Sequence, residues 1–159
     1  MGRRETQPLD ARGARAAALD ALSRRDHAHQ ELQRKLEKKG YDARVVAALL
    51  TALTAERLLD DRRFAENFVE LHAARGQGPR RVRAELAAVG LDAELIGACL
   101  DAYGGWAEHI EKARRKKFGA ERPTGYAEKQ RQARFLGYRG FTSAQIRSAL
   151  GFDIDYDAD

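Results

Sequence analysis

Three stretches of this chain carry the same framework at an offset of 50 residues, which restricts the fold to one assembled from small repeated units. The clearest copy runs over residues 82–100. Leu36, Leu86 and Leu136 correspond, then Gly40, Gly90 and Gly140, each followed by a large apolar residue (Tyr41, Leu91, Phe141). A helix-capping type comes next (Asp42, Asp92, Thr142), then Val46, Ile96 and Ile146, and finally Leu50, Leu100 and Leu150. Each unit alone buries too little to be stable, so neighbouring units must stack.

The unit reads as a helix, a glycine turn and a second helix. Apolar residues four apart (Leu32 and Leu36; Val82 and Leu86) mark the first helix. The glycine supplies a left-handed conformation after the last turn. Asp42, Asp92 or Thr142 then caps the next helix, and Thr142 with Gln145 fits a capping box. Apolar residues at i, i+1, i+4 and i+5 (Val45, Val46, Leu49, Leu50; Leu95, Ile96, Cys99, Leu100) give that helix one broad buried face. Two helices joined this way resemble a helix-turn-helix, although the same corner serves as plain packing in many all-α folds.

Composition narrows the function classes. The 159 residues are 33% charged and 43% apolar with only three prolines, which suits a soluble helical protein. With 29 Lys and Arg against 24 Asp and Glu the formal charge is +5, favouring an anionic partner such as nucleic acid or an acidic protein surface. The single cysteine, Cys99, falls on an apolar helix face, so it reads as a core residue and the chain as one from a reducing, cytoplasmic compartment. No apolar run reaches the roughly 20 residues of a membrane span, and no signal-peptide core is visible.

The order along the chain suggests five segments: a polar, disordered lead (1–11), three three-helix repeats (12–57, 58–104 and 105–150) and an acidic tail (151–159). The first helix is expected over residues 12–23 with Ala14, Ala18 and Leu22 on one side. Asp26 is expected to cap the second, which runs to Lys39, and Asp42 the third. Asp60 and Asp61 read as caps of the helix that follows, whose apolar stripe is Phe64, Phe68 and Leu71 with Ala65 and Val69 beside it. Gly76-Gln77-Gly78-Pro79 breaks the chain, with Pro79 opening the next helix. Arg80 and Arg81 after that turn could receive a phosphate, but the Walker pattern is absent and an interhelix turn is the simpler reading.

The third repeat differs in charge. Residues 110–147 hold eleven Lys and Arg against three Glu, an excess larger than that of the whole chain. Arg114, Arg115, Lys116 and Lys117 point all round a helix, because successive residues turn by about 100°, so some must be exposed. The tail reverses sign with Asp153, Asp155, Asp157 and Asp159, lacks the glycine and glutamate of a calcium loop, and could cover the basic surface beside it. His27, His29, His72 and His109 have no metal-ligand spacing. No nucleophile has a partner base, and no dinucleotide or P-loop fingerprint occurs, so a binding protein without enzymatic activity, metal or cofactor is expected.

The order of these signals resembles the RecX family, modulators of the bacterial RecA recombinase. The residues that carry the likeness are Arg25-Asp26-His27 before Glu31-Leu32 and Lys35-Leu36; Leu59-Asp60-Asp61 with Phe64-Ala65; Gly76 and Gly78 before Glu85-Leu86 and Gly90; and Lys129 with Phe135-Leu136 and Arg139-Gly140-Phe141. The resemblance spans residues 16–150 and leaves the first dozen residues and the acidic tail outside it. It implies an all-α, elongated array of three three-helix repeats. It further implies a monomer that binds the RecA filament on single-stranded DNA and lowers its ATPase, strand-exchange and co-protease activities, regulating recombination, repair and the SOS response.

On that reading Arg75, Arg80, Arg81, Lys112, Arg114, Arg115, Lys116, Lys117, Lys129, Arg131, Arg134 and Arg139 supply the contacts, with weak non-specific DNA binding as an accessory property. Reversing Arg114, Arg115 and Lys117 to Glu is then expected to weaken filament binding with helical content intact. The rival is a helix-turn-helix protein acting directly on DNA. Against it, the third helix of each repeat offers few base-reading side chains: Arg44, none in the second repeat, and Gln145 with Arg147.

Overall fold

The computed structural model describes residues 11–151, and its regular structure is entirely α-helical. Nine helices are described: α1 (Ala11–Arg24), α2 (His29–Lys38), α3 (Ala43–Ala55), α4 (Asp61–Ala74), α5 (Pro79–Ala88), α6 (Ala93–Ala102), α7 (Trp106–Phe118), α8 (Tyr126–Tyr138) and α9 (Ser143–Leu150). They follow one another as three helix triplets. The lead before Ala11 and the tail after Gly151, for which disorder and a covering role were expected, lie outside the described residues.

The repeated framework is the core. Leu36, Leu86 and Leu136 are buried, as are Val46, Ile96 and Ile146 and then Leu50, Leu100 and Leu150. The three glycines after the first of these sets all take positive φ: 101° at Gly40, 91° at Gly90 and 96° at Gly140. At Gly40 its own N–H donates to the Glu37 carbonyl (2.9 Å) and the Tyr41 N–H to the Leu36 carbonyl (3.3 Å); Gly140 and Phe141 repeat the pair on Gly137 (3.0 Å) and Leu136 (3.1 Å). This is a Schellman closure, which satisfies carbonyls the helix end would leave open and turns the chain at a left-handed residue. Cys99 is buried on its apolar face, as expected.

By internal contacts the chain forms two compact units. One comprises the described residues up to Phe64 together with Ala88–Asp92; the other comprises Ala65–Ala87 together with the described residues from Ala93 onward. In the first unit Ala14, Ala18 and Ala21 of α1 pack with Leu32 and Leu36 of α2, and with Val46, Leu49, Leu50 and Leu53 of α3. Alanines on α1 let its backbone come close, so a short helix triplet can still bury a continuous core. Leu22 is only partly buried there. The turn around Gly90 sits against Gln30, whose side chain fills the space a methyl on Gly90 would need.

Two caps depart from expectation. Asp42 accepts from the Arg44 N–H (2.9 Å) and Thr142 forms its capping box with Gln145. Asp26, by contrast, does not cap α2. That helix starts later, after Ala28 in an extended conformation, and its open N–H groups find acceptors elsewhere. The Ala28 N–H donates to Glu31 Oε1 (3.3 Å) and the His29 N–H to Asp61 Oδ1 (2.7 Å). Of the Asp60-Asp61 pair, only Asp60 is seen to cap its own helix, accepting from the Arg63 N–H (3.0 Å).

In the second unit Ile110 and Ala113 of α7, Ala133 and Leu136 of α8, and Phe141, Ile146 and Leu150 form one cluster. The α4 stripe is rotated from the expected one. Phe64, Ala65, Val69 and Ala73 are buried, whereas Leu71 is 51% exposed. A helical face built on i, i+4 and i+8 from Ala65 passes through Val69 and Ala73 and leaves Leu71 outside.

A basic cleft as the candidate functional site

The turn between α4 and α5 docks on the turn between α8 and α9. The Gly78 N–H donates to the Arg139 carbonyl (2.7 Å) and the Arg80 N–H to the Gly140 carbonyl (2.9 Å). Gly78 is buried there, and a methyl on it would overlap the backbone of Gly140 and Phe141. Arg139 answers from the other side: its Nε donates to the Gly76 carbonyl (3.0 Å) and its Nη2 to the Arg75 carbonyl (2.6 Å). The Gly78 and Arg80 N–H groups at the start of α5 are therefore committed to protein carbonyls. A phosphate at the Gly76–Arg81 turn, which the sequence allowed, would find these two donors already taken.

That docking places the end of α4 beside α7 and α8 and leaves a cleft of about 360 Å³ between them. Arg75, Lys112, Lys116, Lys117 and Arg139 line it, together with His109, Phe135 and the small residues Ala74, Gly76 and Ala113. Among the described residues no carboxylate lines the cleft, and none of these five cations forms an ion pair with a described acidic residue. The Lys117 Nζ stands 5.9 Å from the Phe135 ring centroid, and that ring meets Phe118 edge to face at 5.3 Å. Five positive charges that no described residue pairs, gathered in one concavity, raise the local potential and concentrate anions.

The other expected contact residues are placed differently. Arg114 is fully buried, and its guanidinium donates to both Glu111 oxygens (3.2 and 2.8 Å) and to the Glu121 carbonyl (3.1 Å). Its role is structural, so a surface contact through Arg114 is withdrawn. A triple reversal that includes Arg114→Glu would bury a carboxylate beside Glu111 and disrupt α7 rather than leave its helix intact. Arg115 is exposed but shares Glu111 (3.0 Å), and Arg81 pairs with Glu85 (3.3 Å). Arg131 is near Glu128 (3.6 Å) and lies 5.2 Å from the Phe118 ring centroid. Arg80 and Arg134 are exposed outside the cleft, and Lys129 is half-buried.

Two of the cleft's residues were not singled out in the sequence. His109 lies with its Nε2 2.8 Å from the Tyr103 hydroxyl, and its buried Nδ1 has no partner. Burial raises the Tyr103 hydroxyl above its ordinary pKa. The protonated hydroxyl can donate to His109 Nε2. Phe135 forms the apolar wall. On α7, His109, Lys112, Ala113, Lys116 and Lys117 follow the i, i+3, i+4, i+7, i+8 spacing of a single helical stripe, a signal the sequence did contain.

Family models agree with the triplet order. The first three-helix domain of RecX matches residues 14–53, the second 60–100 and the third 107–150. A regulatory protein RecX from Stenotrophomonas maltophilia is 42% identical over 139 residues, covering 87% of this chain and 85% of the relative. The chain belongs to the RecX family. A relative of the same name from Halorhodospira halophila is 44% identical over 136 residues, 85% of this chain and 84% of the relative. The crystal structure of RecX from Lactobacillus salivarius shares the fold at a TM-score of 0.77 and 18% identity, covering 89% of this chain and 94% of that one. No helix among the described residues is long and apolar enough to cross a membrane, and no group of three or more His, Cys, Asp or Glu among them could hold a metal ion.

Proposed function

We propose that this chain regulates the RecA recombinase by binding its filament on single-stranded DNA and lowering ATP hydrolysis, strand exchange and co-protease activity. It acts by occupancy, with no chemistry of its own. The observation that carries the reading is the cleft of Arg75, Lys112, Lys116, Lys117 and Arg139, whose charge nothing within the described residues neutralises. A nucleoprotein filament presents repeated anionic surface, and a chain with several repeats can touch several subunits at once, raising affinity without one strong contact. Exposed Arg131 and Arg134 on α8, with Tyr138 85% exposed at its end, extend the contact surface in the residue types most common at interface hot spots.

The helix-turn-helix alternative loses support at α9. Gln145, its best base reader, has its Oε1 held by the Thr142 N–H (3.0 Å) in the capping box. A glutamine whose carbonyl is held at its own helix start is poorly placed for the bidentate amide contact to a base edge. The proposal is tested by titrating the protein into cognate RecA on single-stranded DNA and following ATP hydrolysis. The rate is expected to fall below equal stoichiometry, and an unchanged rate at equal stoichiometry contradicts it.

A further inference from the structure

We propose that the residues after α9 return along the groove between α7 and α9, with Phe152, Ile154 and Tyr156 seated in it, so that this segment closes the third triplet. The inference is independent of the regulatory reading. The groove measures about 540 Å³. Trp106, Ala107 and Ile110 of α7 line it with Ala144, Ser148 and Ala149 of α9 and with Arg122. Trp106 and Ala149 pack on the third core yet stay only partly buried, so the core is open on this side.

The repeat itself names the occupant. The first triplet has the same groove, lined by Ala11 and Arg15 of α1 and by Val45, Ala48, Leu49 and Ala52 of α3. Two offsets of 50 residues further on, Val45, Ala48 and Leu49 become Gln145, Ser148 and Ala149, which line the third triplet's groove, and Ala52 becomes Phe152. In the first triplet α3 runs on to Ala55, Leu53 is buried and Glu56 pairs with Arg15 (2.7 Å), which finishes that end. α9 ends at Leu150, more than a turn earlier in the same register.

Gly151 then redirects the chain. Its φ is 72° and its N–H donates to the Arg147 carbonyl (2.8 Å), the left-handed helix end that turns a chain back and commonly brings the next apolar residue onto the turn just left. From Phe152 apolar residues alternate with Asp153, Asp155 and Asp157, and in an extended chain alternate side chains point to opposite sides. At about 3.3 Å per residue, Phe152 to Tyr156 spans about 13 Å. That exceeds the α9 wall from Ala144 to Ala149, about 7.5 Å of helix. The aspartates are left at the rim with Arg122, which forms no ion pair with a described acidic residue, whereas the groove's own Glu111 is already held by Arg114 and Arg115. This is a different face from the basic surface that charge alone suggested: the apolar residues choose it.

Trp106 is the chain's single tryptophan, so its fluorescence reads the groove directly. Acrylamide quenching and the emission maximum would be measured on the full chain and its variants, after circular dichroism has shown equal helicity. Phe152→Ser/Ile154→Ser/Tyr156→Ser is expected to raise the quenching constant about twofold or more and to move emission to longer wavelength, as the indole loses its apolar cover. Ser148→Glu, at an exposed position in the groove, should act the same way by setting a carboxylate against the aspartates, and should add nothing to the triple variant. Asp153→Asn/Asp155→Asn/Asp157→Asn keeps the apolar side and should change quenching far less.

Unchanged quenching in the serine variant overturns the proposal. An equal rise in the asparagine variant also overturns it, by making the contact one of charge. Additive effects of Ser148→Glu and the serine substitutions would seat the segment elsewhere. Protection of Trp106 that is lost when the parent protein is diluted would assign the groove to a second copy of the chain and overturn the intramolecular seat.

Discussion

At the scale of single residues, backbone conformation decides which positions tolerate change. Gly140 has φ 96° and faces the Arg81 backbone, so Gly140→Ala is expected to lose about 2 kcal/mol or more in urea unfolding. Arg57 closes the end of α3 in the same way but at φ 59° and without being glycine, its N–H donating to Thr54 (3.0 Å) and the Leu58 N–H to Leu53 (3.0 Å). Arg57→Gly should therefore cost nothing measurable, while Arg57→Val, β-branched in the left-handed region, should cost about 1 kcal/mol or more by the same measurement. His27 gives a pH signature. It is buried, its Nδ1 donates to the Arg25 carbonyl (3.1 Å), its Nε2 has no partner, and burial lowers its pKa below 6.5. The unfolded chain then binds the proton first, so stability falls as pH drops below about 6.5. Thermal unfolding from pH 7.5 to 5 should show that fall, and His27→Gln should flatten it.

Helices were legible to the extent that their signals are local. The 3.6-residue period, the glycine ends and the Asp42 and Thr142 caps all depend on residues within one turn of each other, and the structure places them as read. The start of α2 was misread because its donors are met by Asp61, 32 residues away, which no local pattern announces. Arg114 was misread for a related reason. Charge alone argued for solvent, while the Glu111 carboxylate and the Glu121 carbonyl supply enough acceptors to bury a guanidinium. The hydrogen bond from Arg114 holds the Glu111 carboxyl down at about 2, so its stabilising effect is present above about pH 4.5 and is lost as pH falls toward 2. Glu111→Ala leaves Arg114 buried without its counter-charge and should cost about 3 kcal/mol or more in denaturant unfolding at neutral pH. A loss under 1 kcal/mol would mean the pair is not needed to seat α7. The cleft itself was half-visible: the α7 stripe lies in the sequence, but Arg75 and Arg139 meet 64 residues apart through the docking of two glycine turns.

At the scale of the molecule, one unit repeated three times gives a fold whose stability is spread through similar small cores, and the proposed function rests on where charge is left unbalanced among the described residues. Much of the surface charge is paired, as in Arg15 with Glu56 (2.7 Å) and Arg25 with Glu31 (2.9 Å), and such exposed pairs contribute little net stability. The cleft concentrates charge that no described residue pairs, and the proposed function rests on it. It is tested most directly by ATP hydrolysis of cognate RecA on single-stranded DNA. The parent protein, Lys112→Glu/Lys116→Glu and Lys38→Glu/Lys39→Glu would each be titrated to equal stoichiometry, after circular dichroism has shown equal helicity. Inhibition is expected from the parent and from the Lys38/Lys39 variant, and at least tenfold weaker inhibition from the Lys112/Lys116 variant. Equal inhibition by all three would contradict it.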